Sequence, residues 1–290
     1  MVCPLCAHPQ ARPSWFGSTF YRGQELPYVE CLECGSLFCD PMPDEQMLAQ
    51  MYGPEYQAIF QKDDDIGDGR EVRGIFRWLD RLGGGTFIDY GCGTGELLTR
   101  LAGLNWRRVG VEFDPEVAAR VERVIGVPVT SDPAFLFEGG AFPADVLHLG
   151  DVIEHLTDLD RQLPEILRLV KPGGVLLAQG PLEANPNLFM FALRLRRQGR
   201  RKRTEGAPYH VLFATARGQR ALFRRFGLEE LEFSVSEIPW PAPYRLSRSV
   251  VKSPRALAFF LLRRISQAVT RLRPGRWGNR YFYAGRLPAG

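Results

Sequence analysis

The stretch Thr86–Arg100, TFIDYGCGTGELLTR, decides the fold. Its apolar start reads as a buried strand, Gly91, Gly93 and Gly95 at alternate positions make a turn, and ELLTR resumes at helical spacing. A strand that enters a helix through glycines lets a ligand approach the backbone closely and meet the helix N-terminus. A dinucleotide-binding unit spaces its glycines G-x-G-x-x-G to seat a pyrophosphate, and the spacing here is one residue tighter. The turn alone is a weak signal, and its neighbours give it meaning.

Outward from that turn the texture is regular. EVRGIFRWLDRL precedes it as an amphipathic helix, and the strand-like runs RRVGVEF, VPVTS, ADVLHLGD and GGVLLAQGP alternate with DPEVAARVERVIG and LTDLDRQLPEILRLV. This alternation predicts an α/β, Rossmann-like doubly wound sheet whose ligand lies at the carboxyl ends of the strands. Glu112 ends the second strand, where a carboxylate accepts from both hydroxyls of a ribose and repels a phosphate. The expected ligand is therefore an unphosphorylated nucleoside rather than NADP. Asp132, after the third strand, is placed to accept from an adenine amino group, and Asp114 is expected to cap the helix beginning at Pro115.

Taken in order, IDYGCGTG, GVEFDP, the aspartate after the third strand, LGDVIEHLTD and LVKPGGVLLA cover about residues 70–185 and resemble the class I S-adenosylmethionine-dependent methyltransferases. YHVLFATARGQRALFRRFGLEELEF looks like that family's later helix and strand, and NRYFYAGRLP like its last, which implies the seven-stranded methyltransferase type. The resemblance implies S-adenosyl-L-methionine as cofactor. Gly91, Gly93 and Gly95 would approach its methionine part, with Cys92 wedged in the tight turn and Asp89 holding the amino group. Glu112 would take the ribose, Phe113 would flank the adenine, Asp132 would contact its amino group, and Asp151 in GDVIEHLTD would close the other side.

The sulfonium methyl is already activated, so the protein's main task is to hold an acceptor in line behind it at ~3–3.5 Å. For a hydroxyl acceptor a base helps. His155 follows the fourth strand and is the first candidate, with Asp151 and Glu154 beside it. In some quinone-biosynthesis methyltransferases a similar E-x-x-E-H arrangement binds a divalent metal, and here Asp151 stands in the first position. The plainer alternative has Asp151 capping a turn and His155 packing at the start of a helix. His210 in APYHVLFAT is the second candidate, with Tyr209 beside it, and a histidine satisfied by nearby backbone is the alternative there.

Four of the six cysteines form two knuckles, Cys3-Pro-Leu-Cys6 and Cys31-Leu-Glu-Cys34-Gly35, separated by 24 residues. Two C-x-x-C pairs offer four thiolates to one tetrahedral ion, so structural Zn2+ on Cys3, Cys6, Cys31 and Cys34 is expected, with a disulfide pair as the alternative. A segment of about 40 residues is too small to fold on its own core, and metal would supply the stability. Cys39 reads as a packing residue. The expected organisation is a zinc-ribbon module over 1–45, a connecting segment over 46–69 that contains the acidic Asp63, Asp64 and Asp65, and a methyltransferase domain over 70–290 with basic helical insertions at about 187–208 and 240–278.

The net charge of +4 conceals segregation. Residues 1–186 hold 15 basic against 28 acidic residues, a net of −13, and residues 187–290 hold 22 against 5, a net of +17. Seven of the ten residues Arg194–Arg203 are basic. An anionic partner (phosphate, nucleic acid or lipid surface) and an intramolecular interface both account for this. In SPRALAFFLLRRISQAVTRLRPG a helix carries Leu257, Leu261, Ile265, Ala268 and Leu272 on one stripe bordered by Arg264 and Arg271. That stripe is expected to cover the protein's own core, with peripheral membrane contact through 254–273 as the alternative. No signal-like segment and no run of ~18 apolar residues is present, so a cytoplasmic protein is expected.

The overall expectation is methyl transfer to a small-molecule or phosphate-linked acceptor (sugar, lipid or secondary metabolite), on oxygen. The runner-up is a ribosomal RNA base methyltransferase with a zinc recognition module, in which the basic third tracks phosphates. Against it, GDVIEH stands where enzymes acting on exocyclic base amines commonly carry an N-P-P-Y-type loop. A third reading is a non-catalytic adaptor.

Overall fold

The structure is a computed structural model that describes residues 1–51, 70–134, 136, 143–197, 203–206, 209–238, 246–272 and 275–289. The acidic triplet Asp63–Asp65, most of the connecting segment, and residues 198–202 of the basic run lie outside the described residues. In chain order the strands are β1 (Ala11–Tyr21), β2 (Gln24–Cys31), β3 (Leu37–Cys39), β4 (Gly85–Tyr90), β5 (Trp106–Val111), β6 (Val129–Thr130), β7 (Ala144–Gly150), β8 (Val170–Pro181), β9 (Arg203–Glu205), β10 (Leu212–Phe213), β11 (Glu229–Ser236) and β12 (Arg280–Arg286). The helices are α1 (Glu45–Met51), α2 (Arg70–Leu82), α3 (Glu96–Arg100), α4 (Pro115–Ile125), α5 (Leu159–Leu167), α6 (Leu188–Arg197), α7 (Ala216–Arg225), α8 (Arg248–Lys252) and α9 (Pro254–Leu272).

A seven-stranded sheet runs in the order β11-β12-β8-β7-β4-β5-β6, with helices between successive strands. The five strands from β8 to β6 are parallel to their neighbours. Because β4 pairs on one side with β5 and on the other with β7, chain direction away from β4 reverses there, and the ligand crevice of such sheets lies at that switch point. Phe87, Val146, Val175 and Leu177 from the strands pack with Ile75, Leu79, Leu98, Val117 and Val121 from the helices in one buried core. α4 forms as its sequence dictates: Asp114 accepts from the amides of Glu116 and Val117, Pro115 opens the helix, and Gly126 ends it at φ +64°.

The second sheet has five strands in the order β10-β3-β2-β1-β9. The N-terminal hairpin β1–β2 and its neighbour β3 gain edge strands from beyond residue 200: β9 adds parallel to β1, and β10 adds antiparallel to β3. Phe16, Tyr28 and Phe213 form an aromatic cluster across it, with Tyr28 stacked on Phe213 at 4.7 Å.

By their contacts the residues gather into two compact units. One comprises Met1–Tyr52, Pro181–Leu222 and Ser234–Tyr281, the other Gly53–Gly180, Phe223–Phe233 and Phe282–Gly290. The physical reason is visible in the five-stranded sheet: a hairpin with two cysteine knuckles has too little core, and strands and helices of later segments complete it.

One expectation is overturned. The apolar stripe of α9 does not cover a core: Leu261, Ile265 and Leu272 are 51%, 55% and 80% exposed. The buried residues of α9 are instead Arg263, Ser266, Gln267 and Thr270, on the opposite face. Glu237 decides this orientation. Its buried carboxylate lies 2.7 Å from the Arg263 guanidinium, and Gln267 Nε2 donates to its backbone carbonyl at 3.2 Å. Turning the helix over would leave that buried carboxylate without its cation, at a cost of about 3–5 kcal/mol.

Candidate donor site and cysteine cluster

At the carboxyl edge of β4 the chain turns through Gly91, Gly93 and Gly95 at φ +77°, +52° and +75°, left-handed conformations that favour glycine. Two of the three are also sterically required. A Cβ on Gly91 would lie 2.9 Å from Val152 Cγ2, and one on Gly95 would lie 2.7 Å from Ile125 Cδ1 and 2.8 Å from Val121 Cγ1. Around Gly93 there is open space. Cys92 fills a small buried slot over Gly110, whose added Cβ would lie 2.8 Å from the sulfur, and burial first, then Asp89 and Glu112, pushes its thiol up. That is the environment of a wedge in a turn, and a nucleophile needs the opposite shift.

Glu112, one strand away, closes onto the turn. Its Oε2 accepts from the Gly93 amide at 2.9 Å, and its Oε1 accepts from the amide of Phe113 at 2.9 Å. Burial raises its carboxyl above the usual range, opposed by the amides of Gly93, Asp114 and Phe113. Phe113 is exposed and meets Tyr90 edge to face at 5.2 Å. Asp132 is exposed, and its Oδ1 accepts from the Ala134 amide at 2.9 Å, shaping the turn after β6.

Asp151 follows β7 at φ +54°, a sparsely populated conformation for a residue with a side chain, and its amide donates to the Gln179 carbonyl at 3.0 Å. The next residues form a short 3-10 turn, Ile153–His155, with Val152, Ile153 and Glu154 buried and His155 half-buried. Asp89, Gly91, Glu112, Asp132, Asp151 and His155 thus stand at or just beyond the carboxyl ends of β4 to β7, within one unit. His210 belongs to the other unit. Its Nδ1 is 2.8 Å from Glu183 Oε2, and Tyr28 donates its hydroxyl to the His210 carbonyl at 2.7 Å.

Two polar groups escaped the sequence reading. His148 on β7 lies with its Nδ1 2.7 Å from Asp89 Oδ1, each residue 4% exposed, with the ring stacked on Phe87. The register Asp89↔His148 puts both on one face at the switch point. Gly150 leaves space for the ring, since a Cβ there would lie 2.7 Å from His148 Cε1. A histidine in the apolar strand ADVLHLG is itself a signal, because a polar side chain inside a buried strand needs a partner and Asp89 is the acid on the neighbouring strand. Glu183, just after β8, had no comparable mark.

In the other unit the four cysteine sulfurs lie within 4.8 Å of one another. Cys3 and Cys34 are 3.7 Å apart, Cys6 and Cys31 3.5 Å, close to the edge of about 3.8 Å that a tetrahedron with metal–sulfur bonds of about 2.3 Å requires. The four residues therefore fit a zinc ion. Both knuckles turn left-handed after their second cysteine, through Ala7 at φ +59° and Gly35 at φ +72°. Hydrogen bonding with Cys3, then with Ser36, draws the Cys34 thiol down against the effect of burial. Helix α7 clamps this cluster. Thr215 donates its hydroxyl to the Cys34 carbonyl at 2.7 Å and accepts from the Gly218 amide at 3.0 Å, and Gly218 is required because a Cβ there would run into Ser36 and approach Cys34 Sγ to 3.2 Å.

The methyltransferase-domain family model matches residues 68–232. No curated protein matches the chain. Among solved structures, the [4+2]-cyclase SpnF shares 20% identity at a TM-score of 0.49 over 86% of this chain and 98% of its own. A SAM-dependent methyltransferase from Archaeoglobus fulgidus shares 18% at 0.48 over 81% and 99%. The N-methyltransferase NodS from Bradyrhizobium japonicum in complex with S-adenosyl-L-homocysteine shares 16% at 0.44 over 84% and 97%.

Proposed function

The chain belongs to the methyltransferase-domain family, and from that premise we propose that it transfers a methyl group to a hydroxyl of a small or phosphate-linked acceptor. It is an S-adenosylmethionine-dependent methyltransferase. Bound to the chain, S-adenosylmethionine supplies an electrophilic methyl on a sulfonium. The observation that carries the site assignment is the Gly93 amide donating to Glu112, which ties the glycine turn to a carboxylate one strand away. A negative carboxylate at this point favours ribose hydroxyls and disfavours a phosphate. The amino-acid tail lies, in this reading, along the backbone of the turn that the left-handed Gly91, Gly93 and Gly95 make possible. Phe113 offers an exposed ring edge for the base, and Asp132 an acceptor for its amino group.

His155 takes the proton from the acceptor hydroxyl in this reading. It follows the strand end where Asp151 holds its strained backbone, and half-burial keeps it within reach of a ligand. His210 is the second base candidate. The Glu183 carboxylate on its Nδ1 fixes the tautomer with the lone pair on Nε2, the arrangement a proton acceptor needs. The basic run Arg194–Arg203 supports a phosphate-bearing acceptor, and the cysteine tetrad supports a structural zinc.

The test incubates the full chain with methyl-labelled S-adenosylmethionine and a panel of hydroxylated nucleotide sugars, polyprenyl phosphates and ribosomal RNA, and locates the label by mass spectrometry. The expected result is label on oxygen of a small acceptor, with His155→Asn lowering kcat by about 10²–10⁴ while donor Kd holds. Label on an RNA base, or unchanged turnover in both His155→Asn and His210→Asn, overturns the reading.

A further inference from the structure

The orientation of α9 leaves its apolar face outward. Leu261, Ile265 and Leu272 fall within one narrow arc at 100° per residue, opposite the buried Arg263, Ser266 and Thr270. α6 and α8 both pack against α9, and they add Phe191, Leu195 and Val251 to the exposed apolar side chains of the same unit. Six large apolar side chains are thus exposed on three adjoining helices. The neighbouring charge is of one sign. No acidic residue follows Glu237 in the sequence, and α8 and α9 carry Arg248, Lys252, Arg255, Arg264 and Arg271 outside the buried Arg263. Arg264 lies over the Phe260 ring at 5.0 Å, its stem along the helix surface. Among the described residues no helix is long and apolar enough to cross a membrane.

We propose that the outward face of α9, with the exposed residues of α6 and α8, docks in the plane of an anionic lipid surface. A helix of 19 residues is about 28 Å long and, with apolar residues on one side and arginines beside them, suits the boundary between headgroups and acyl chains. The arginine stems extend along the apolar layer while their guanidinium groups meet lipid phosphates. A second copy of this chain is the poorer occupant, because pairing like faces sets two acid-free basic helices against each other. A docked chain would meet a lipid-linked acceptor at the surface that carries it. The docking itself does not rest on the methyltransferase reading.

The experiment is flotation of the full chain with vesicles of phosphatidylcholine alone and of phosphatidylcholine with 30 mol% phosphatidylglycerol, at about 0.1 M salt where screening is moderate. The expected result is binding to the anionic vesicles at least tenfold tighter than to the neutral ones. The double variant Leu261→Gln/Ile265→Gln, which changes only exposed side chains, keeps the wild-type melting temperature and binds the anionic vesicles at least tenfold more weakly. No vesicle binding by the wild-type chain overturns the proposal, as does binding that the double variant retains. A dimer in sedimentation equilibrium that the double variant dissolves, together with no vesicle binding, would assign the face to a second copy and overturn it equally.

Discussion

Replacing Glu112 by glutamine tests the donor site with little change of shape. The amide oxygen can still accept from the Gly93 amide, now 2.9 Å from Oε2, so the glycine turn keeps its tie to β5. What disappears is the negative charge on the atoms proposed to accept from two ribose hydroxyls, together with the acceptor of the Phe113 amide, where the glutamine NH2 now stands. Hydrogen bonds to a charged group contribute about 1 kcal/mol more than neutral ones, so two of them amount to about 2 kcal/mol. That corresponds to about a 30-fold rise in donor Kd. Glu112→Ala should cost more, since it also removes the acceptor of the Gly93 amide. Titration calorimetry with S-adenosyl-L-homocysteine reads both, with circular dichroism as the check on folding. The pH dependence has a defined sign. Burial first, against the amides of Gly93, Asp114 and Phe113, lifts the carboxyl above its ordinary 4.5, and the protonated form loses acceptor capacity. Donor affinity in the wild type should therefore fall as pH falls through a value above 4.5, and Glu112→Gln should lack that step. A Glu112→Gln chain that binds within twofold of wild type, with the same pH profile, refutes the assignment of the ribose to this residue.

Two further outcomes are expected. His148→Leu leaves Asp89 buried without its partner and should destabilise the chain by about 3–5 kcal/mol in urea unfolding, and a double-mutant cycle with Asp89→Leu should give a coupling of about 1.5 kcal/mol or more. Additive losses would deny that the two form a unit. The chain should carry one zinc per molecule by plasma mass spectrometry, and Cys34→Ser should abolish that metal and lower Tm by about 10 °C or more. A metal-free wild-type chain of unchanged Tm would refute the structural role.

The seven-stranded fold was legible because its signals are local. β4, the glycine turn and α3 are consecutive, and each strand end that carries a candidate ligand residue follows directly from its own strand. The cap at Asp114 could be read from three residues. Pairings between distant segments were not legible. β9 and β10 are three and two residues long, too short to carry a period, and they join β1 and β3 only through pairings across more than 170 residues of sequence. Periodicity also misled at α9: it reported correctly which residues share a face, but the side on which that face lies was set by Glu237, 26 residues before Arg263.

These non-local contacts explain why a cysteine tetrad should accompany this catalytic fold. Thr215 and Gly218 at the head of α7 lock onto Cys34 and Ser36, and Asn185 accepts from the Ala216 amide at 3.0 Å while donating to the carbonyls of Arg276 and Gly278 at 3.1 and 3.0 Å. The knuckles, the segment after β8 and the segment before β12 are thereby joined through two polar junctions that tolerate little displacement. Each of these segments is short of apolar core by itself, and a metal bound by the four cysteines would supply rigidity that burial cannot. Glu183 and His210 sit between those junctions in sequence, within the same unit as the cysteines, whereas the proposed donor residues all lie in the other. A metal held by the four cysteines would thus order the segment carrying His210, while the glycine turn and Glu112 depend on β4 and β5.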